Sequence, residues 1–208
     1  MEKRLFIVDD HTMIRNGITG WFNSNSDWEC TSGAGSKDDA LVALEKLSAQ
    51  NNLPNVVISD INMQGTPQGI ELISEISEKF PQIKIVAYSM YTSPGMIQKA
   101  MKAGAQGYVS KTNDEKNLLE CIEAVYAGEQ YIGQELMLSL CSYNNVISAL
   151  TKREMQVFEL ILQRKTNPEI AEALDLKRHA VENYISFIYE KTGCTDRSEL
   201  MRKYGEKS

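Results

Sequence analysis

The first 127 residues alternate short apolar runs with segments of helical periodicity, and this alternation restricts the possible folds more than any other feature of the sequence. The apolar run at residues 56–58 leads to Asp60, and the run at residues 5–8 stops at Asp9 and Asp10. Continuous apolar runs of this length are typical of strands buried on both faces. Five such strands alternating with five helices predict an α/β fold with a five-stranded, doubly wound parallel sheet.

Polar side chains stand where four of the predicted strands end: Asp9 and Asp10, Asp60, Ser89 and Lys111. Because parallel strands lie about 4.8 Å apart and their carboxyl ends meet at one edge of the sheet, we expect these groups to converge there. A single acid after a strand is more often a turn or helix-cap residue. Three carboxylates held close together, however, stay ionised only beside a cation, and such an oxygen-rich cluster suits Mg²⁺. Lys111 and Ser89 would then be available to bind phosphoryl oxygens.

The strand pattern is lost after residue 127. Residues 128–147 predict a linker with a short helix at about residues 134–140, and residues 148–208 predict a small all-α domain of four helices. The two parts also differ in charge. Residues 1–147 hold 11 Lys+Arg against 18 Asp+Glu, whereas residues 148–208 hold 11 against 10. Two modules with different partners fit this difference, although the second is not basic enough to indicate nucleic-acid binding by charge alone.

The four predicted helices of the second module contain a helix-turn-helix pattern. Thr151 and Glu154 form a capping box that opens the first helix. A short helix then begins at Asn167, and after a tight turn a longer helix runs from about Arg178 to Lys191. A short helix, a tight turn and a longer helix are typical of DNA-binding domains in which the longer helix enters the major groove.

The remaining composition describes an ordinary cytoplasmic protein. No stretch approaches the roughly 18 apolar residues of a membrane span, and the first apolar run is too short for a signal peptide. The four cysteines show no Cys-x-x-Cys spacing, so they predict neither a zinc site nor a disulfide framework: Cys30, Cys121, Cys141 and Cys194.

Five sites occur in one order on the predicted strand ends: Asp9-Asp10, Asp60, Ser89 with an aromatic residue two positions on, and the run Gly107-Tyr108-Val109-Ser110-Lys111. This set resembles the receiver domain of two-component response regulators, which is flavodoxin-like. A second set resembles the LuxR-type helix-turn-helix: Leu150-Thr151-Lys152-Arg153-Glu154, Asn167-Pro168-Glu169-Ile170-Ala171 and Val181. With Asp9-Asp10-His11 and Arg15-x-Gly17, the chain is similar to the NarL/FixJ subfamily over nearly its entire length.

The resemblance implies a role for each residue of the first set. Asp60 would accept a phosphoryl group from a sensor histidine kinase, with Ser89 and Lys111 assisting. Mg²⁺ would be held by Asp9, Asp10, Asp60 and the backbone carbonyl of Asn62. Ser89 and Tyr108 would form the switch pair, and the reorganised surface would promote a homodimer. His11 is interpreted as a structural loop residue.

The second set implies binding to double-stranded DNA, with RNA polymerase as a further partner. The candidate DNA contacts lie in and beside the longer helix: Lys177, Arg178, His179, Asn183, Tyr184 and Lys191. Glu182 departs from the family, which has Lys there, and an acid at that position weakens attraction to phosphates. In the receiver, Gln64 stands where the family usually has the proline of Met-Pro-Gly, and the loop to Gly69 is one residue longer.

Two alternatives stay open at this point. In the first, the second module has lost DNA affinity and binds a protein when the receiver is phosphorylated. In the second, the chain is a phosphatase with an aspartate nucleophile. That chemistry usually places a second acid two residues on, and this chain has Asn62 there, so we expect no enzyme.

Overall fold

The structure is a computed structural model and describes residues 3–205. Six strands lie in the first part of the chain: β1 (Lys3–Val8), β2 (Trp28–Ala34), β3 (Val56–Ser59), β4 (Lys84–Ser89), β5 (Gly107–Ser110) and β6 (Tyr131–Ile132). Five helices alternate with them: α1 (Thr12–Asn25), α2 (Lys37–Ala49), α3 (Gln68–Lys79), α4 (Pro94–Ala103) and α5 (Glu115–Tyr126). Five more follow: α6 (Gln134–Ala149), α7 (Lys152–Leu162), α8 (Asn167–Ala173), α9 (Arg178–Thr192) and α10 (Arg197–Tyr204).

All six strands form one parallel sheet in the order β2-β1-β3-β4-β5-β6. The predicted doubly wound α/β fold is confirmed, but the predicted count of five strands is wrong because β6 adds an edge strand to β5. Tyr131 pairs with Gly107, and Ile132 with Tyr108. Two residues are too short for a periodic signal, and the glycines at 128 and 133 resemble the ends of a loop.

The predicted short helix in the linker is also wrong in length. Helix α6 runs for 16 residues, from Gln134 to Ala149. The helix continues through Asn144 and Asn145 because neither stops a helix as proline or glycine does, and residues 134–149 contain neither of those.

Contacts divide the chain into two compact units. The first comprises the chain up to Tyr91 together with Ile97–Gly133, and the second comprises Thr92–Met96 together with the chain from Gln134 onward. The central strands β1, β3, β4 and β5 have almost wholly buried side chains, as their continuous apolar sequences predict. The large cluster between the sheet and helices α1 and α5 includes Phe22, Trp28 and Ile122.

The second unit has its own apolar core, formed by the helices α7 to α10 that the sequence predicts. Val157, Phe158, Val181 and Ile188 are fully buried in it. Helix α7 begins with the predicted capping box: the Thr151 side chain accepts from the Glu154 amide, and the Glu154 carboxylate accepts from the Thr151 amide. Within residues 3–205 no helix combines the length and apolarity that crossing a membrane requires.

Candidate functional site

The sheet brings the predicted strand-end acids together. The Asp9 amide donates to Ala34, and the Asp60 amide donates to the Val8 carbonyl at 2.8 Å, so both acids continue the parallel pairing just past their strands. Ligand oxygens of Asp9, Asp10 and Asp60 and the ring nitrogen of His11 all lie within 4.8 Å of one another. The register of the sheet therefore produces the predicted acidic cluster.

Lys111 reaches this cluster from the end of β5. The backbone amide of Lys111 donates to the Ser89 carbonyl, which holds the Lys111 backbone at the end of β4. Its Nζ lies 2.6 Å from Asp9 Oδ2 and 2.7 Å from Asp60 Oδ2. All three side chains are at most 6% exposed, so the ammonium group pairs with two buried carboxylates at once and offsets one of their two negative charges.

The protonation of Asp60 is set by opposing effects. Burial raises the pKa of the Asp60 carboxyl above its usual range. The ion pair with Lys111 lowers this pKa, and the charge of Asp9 raises it. The net pKa is raised. The Asn62 amide also donates to Asp60 Oδ1 at 3.2 Å.

Asp10 has a different environment because one of its oxygens faces the following loop. Its Oδ2 accepts from the Gln64 amide at 2.8 Å, whereas its Oδ1 is buried without a hydrogen-bond partner. The ring Nδ1 of His11 lies 2.8 Å from that oxygen but is not oriented to form a hydrogen bond. A buried, unsatisfied carboxylate oxygen beside two further carboxylates fits a hard divalent cation, so the cluster could hold a metal ion.

The predicted switch residues Ser89 and Tyr108 lie on the neighbouring strands β4 and β5. Both are fully buried. The Tyr108 hydroxyl donates to the Tyr91 carbonyl at 2.6 Å, and the Tyr91 amide donates to Ser89 Oγ at 3.1 Å. Burial raises the pKa of Tyr108 far above its usual value, and the hydrogen bond with Ser89 lowers it only in part. The hydroxyl therefore stays neutral and can donate a hydrogen bond.

Tyr91 and Arg15 belong to this site, although the sequence assigns neither of them a contact there. The Tyr91 hydroxyl accepts from the Asn62 side-chain amide at 3.0 Å, which links the loop after Asp60 to the switch pair. Arg15 donates to the Asp9 carbonyl. His11, interpreted as a loop residue, precedes α1 and donates its own amide to Asp9 Oδ1. The available signals were the aromatic residue two positions after Ser89 and the Arg15-x-Gly17 segment, but neither reveals a partner.

The candidate DNA-contacting residues do not form one uniform surface on α9. Arg178, His179 and Asn183 are exposed, as is Lys177, which precedes the helix. Tyr184 is half-buried and packs against the core of the unit, because it lies on the side of the helix that carries Val181 and Ile188.

Two of the cations on α9 are paired with acids. Arg178 Nε lies 3.3 Å from Glu182 Oε1, one turn along the helix. Lys191 Nζ lies 2.7 Å from Glu154 Oε2, and this ion pair is the largest cause of the lowered pKa of Glu154. The structure therefore directs Lys191 toward the start of α7.

Sequence reasoning also missed Phe187, which is 51% exposed on α9. It lies one turn after Asn183, on the same face of the helix. Its spacing from Val181 and Ile188 does not match the buried stripe, and that mismatch was the available signal.

Comparisons with known proteins agree with both units. Residues 5–123 match the family model for the response regulator receiver domain, and residues 148–204 match that for bacterial regulatory proteins of the luxR family. The chain is 33% identical to the transcriptional regulatory protein DesR of Bacillus subtilis, over 98% of this chain and 96% of DesR. It is 30% identical to the oxygen regulatory protein NreC of Staphylococcus haemolyticus, over 95% of this chain and 94% of NreC.

A solved structure shows the same fold at lower identity. RcsB from Salmonella enterica serovar Typhimurium, bound to a promoter in the presence of a beryllofluoride phosphomimetic, matches with a TM-score of 0.72 and 20% identity. The match covers 98% of both chains. By its two matched domains, its relatives and the cluster around Asp60, the chain belongs to the NarL/FixJ-type response regulators and is a phosphorylation-controlled transcription regulator.

Proposed function

We propose that Asp60 receives a phosphoryl group from a sensor histidine kinase. The observation that carries this proposal is the buried Lys111 ammonium bridging Asp60 and Asp9 at 2.6–2.7 Å. In the transfer, one Asp60 oxygen forms a bond to phosphorus while the bond between phosphorus and the donor histidine nitrogen breaks. Lys111 would offset the charge on the oxygens of the transferred group, and Ser89 would donate a hydrogen bond to them.

Mg²⁺ is the metal that this site would use. Asp9, Asp10, Asp60 and the Asn62 carbonyl would hold it, and their oxygens suit a hard divalent cation. The bound ion would supply charge neutralisation of the phosphoryl oxygens. The Oδ1 of Asp10, which is buried without a hydrogen bond, supports this assignment.

Phosphorylation would act through the switch pair. A phosphoryl group adds about 1.5 to 2 negative charges and three strong acceptors, and Ser89 is the nearby hydroxyl that can turn toward it. Moving Ser89 would change its hydrogen bonds with Tyr91 and Tyr108, and because Ser89 and Tyr108 are fully buried, their packing is sensitive to such a rearrangement. The resulting surface would favour a homodimer.

The output of this switch would be DNA binding in the cytoplasm, with RNA polymerase as a further partner. We assign residues 1–127 to the receiver, 128–147 to the connecting segment and 148–208 to the output domain. Lys177, Arg178, His179 and Asn183 would approach the major groove, with Asn183 suited to adenine edges. Tyr184 and Lys191 would act chiefly by holding α9 in place, since their side chains contact the core and Glu154.

Mobility shifts of the full chain on DNA upstream of its own gene test the output assignment. With beryllofluoride and Mg²⁺ we expect tighter binding than without, an apparent mass by gel filtration that moves toward a dimer, and an affinity that falls with salt. A chain that dimerises with beryllofluoride but shows no salt-sensitive shift would favour the protein-binding alternative.

Replacing Glu182 with Gln is expected to increase DNA affinity about threefold to tenfold and to steepen the log-log salt dependence by about 0.9, because Arg178 becomes available to a phosphate. Fluorescence anisotropy over a range of salt concentrations measures both quantities. Glu190→Gln is the matched control, since it removes an exposed acid from the same helix without releasing Arg178. Equal effects of the two substitutions would mean that net charge alone matters.

A further inference from the structure

The loop after Asp60 contains a tight turn at residues 63–66. The amides and carbonyls of Met63 and Thr66 pair in both directions, at 3.0 and 3.1 Å. Gln64 and Gly65 between them have φ angles of 55° and 75°. Positive φ at both central positions is the signature of a type I′ turn.

This turn is fixed to the fold on both sides. The Met63 side chain is fully buried. On the other side, Gly69 donates to the Ile61 carbonyl, and a Cβ added at Gly69 would lie 2.0 Å from the Asp60 carbonyl oxygen. The turn therefore has a defined position relative to Asp60.

The Gln64 amide at the tip of the turn points at the acidic cluster. It donates a hydrogen bond to Asp10 Oδ2 at 2.8 Å, and this bond joins two residues that are 54 positions apart in the sequence. Burial raises the pKa of Asp10, but the hydrogen bond from Gln64 and the charge of His11 outweigh burial, and the net pKa is lowered. With Oδ2 held in this way, the other oxygen, Oδ1, is left without a hydrogen bond in the cluster.

The backbone of Gln64 is itself unusual. Side chains with a Cβ rarely adopt a φ of 55°, and glutamine lacks the local hydrogen bonds that make asparagine and aspartate tolerant of it. Strained backbone of this kind concentrates at functional sites. The proline that the family usually has here could neither adopt this φ nor donate a hydrogen bond.

We propose that Gln64 is a positioning residue for metal binding: its backbone amide holds Asp10 Oδ2, so that Oδ1 is presented to a divalent cation. The proposal rests on the assignment of Asp10 as a metal ligand. It concerns the backbone amide and not the glutamine side chain, which is exposed. The amide of Gln64 thus supplies an anchor for the metal site that a proline at this position could not provide.

Titration of the full chain with MgCl₂, without a phosphodonor and followed by amide NMR, tests the proposal. Gln64→Pro removes the N–H, and we expect its Mg²⁺ dissociation constant to rise about tenfold, the usual scale for a hydrogen bond to a charged group. Gln64→Gly retains the N–H and suits the positive φ, so its dissociation constant should match that of the wild type while its thermal midpoint rises. The residue-64 amide should also shift on Mg²⁺ addition in the wild type and in Gln64→Gly.

Each outcome has a separate meaning. Equal Mg²⁺ affinity in Gln64→Pro and the wild type would overturn the proposal, as would an equal loss in Gln64→Gly and Gln64→Pro. If Gln64→Pro does not fold, the test rests on Gln64→Gly. The proposal is then overturned if the amide signal of residue 64 in that variant does not shift on Mg²⁺ addition. Failure of the wild type itself to bind Mg²⁺ would refute the metal assignment under the proposed function, which is a different result.

Discussion

Replacing Asp60 with Asn is expected to abolish covalent labelling of the protein by acetyl phosphate and, at the same time, to raise the thermal midpoint of the receiver unit. Labelling is lost because the carboxamide cannot form the acyl phosphate. Stability rises because burial raises the pKa of Asp60, which means that the folded state disfavours its ionised form. We expect the thermal midpoint at neutral pH to rise by about 2–4 °C, the scale of a typical single substitution.

The sign of this effect predicts its pH dependence. A carboxyl whose pKa is higher in the folded state than in the unfolded state destabilises the fold once the pH rises above the unfolded pKa, and the full loss is reached above the folded pKa. The stability difference between Asp60→Asn and the wild type should therefore shrink as the pH is lowered through this window. Lys111 retains Asp9 as a partner at 2.6 Å in the variant, so the ammonium is not left unpaired.

Intact mass spectrometry after incubation with acetyl phosphate and MgCl₂ measures labelling. Calorimetry from about pH 3 to about pH 8 measures stability over a range that includes the ordinary pKa values of carboxyl groups and histidine. Asp114→Asn is the matched control, because Asp114 is an exposed helix-capping acid and asparagine also caps helices. It should be labelled like the wild type. Undiminished labelling of Asp60→Asn would exclude Asp60 as the phosphoacceptor.

Replacing Lys111 with Met is expected to destabilise the receiver unit by about 3–5 kcal/mol, the usual cost of removing one partner from a buried ion pair. Asp9 and Asp60 would then be buried side by side without a cation. Added Mg²⁺ should recover part of the loss, since at ten times its dissociation constant a ligand contributes about 1.4 kcal/mol.

Urea unfolding with and without MgCl₂ measures this loss and its recovery. Lys37→Met serves as the control: Lys37 also pairs with two acids, Glu71 and Glu75, but these pairs are more exposed. It should change stability by less than about 1 kcal/mol and should gain as much from Mg²⁺ as the wild type does, because its acidic cluster is intact. If Mg²⁺ stabilised neither Lys111→Met nor Lys37→Met, the cluster would not be a cation site.

Much of the receiver and its acidic cluster could be predicted from the sequence because both follow from short-range rules. Continuous apolar runs identify the buried strands, and parallel strands place their following residues at one edge. Asp9, Asp60 and Lys111 meet there for that reason. The same rules identify the capping box of α7 and the buried positions of α9, Val181 and Ile188.

The sequence fails where the outcome depends on tertiary partners. Strand β6 exists because β5 offers it an edge, and two residues carry no periodicity. The ion pair of Lys191 with Glu154 joins residues 37 positions apart, so sequence spacing alone could not indicate it. The bond from Gln64 to Asp10 is hidden in the same way, because it is made by a backbone amide that every residue except proline possesses.

The ion pair between Lys191 and Glu154 has a consequence for any measurement of DNA binding. Glu154 is buried and also accepts from the Thr151 amide, so a single carboxylate connects the end of α9 to the beginning of α7. Pairs that are partly buried are screened far less by salt than exposed pairs such as that of Arg178 and Glu182. The orientation of α9 relative to α7 should therefore stay constant when the salt concentration is varied. If α9 binds DNA as proposed, the salt dependence of the affinity will then report phosphate contacts alone, without a contribution from movement of the helix.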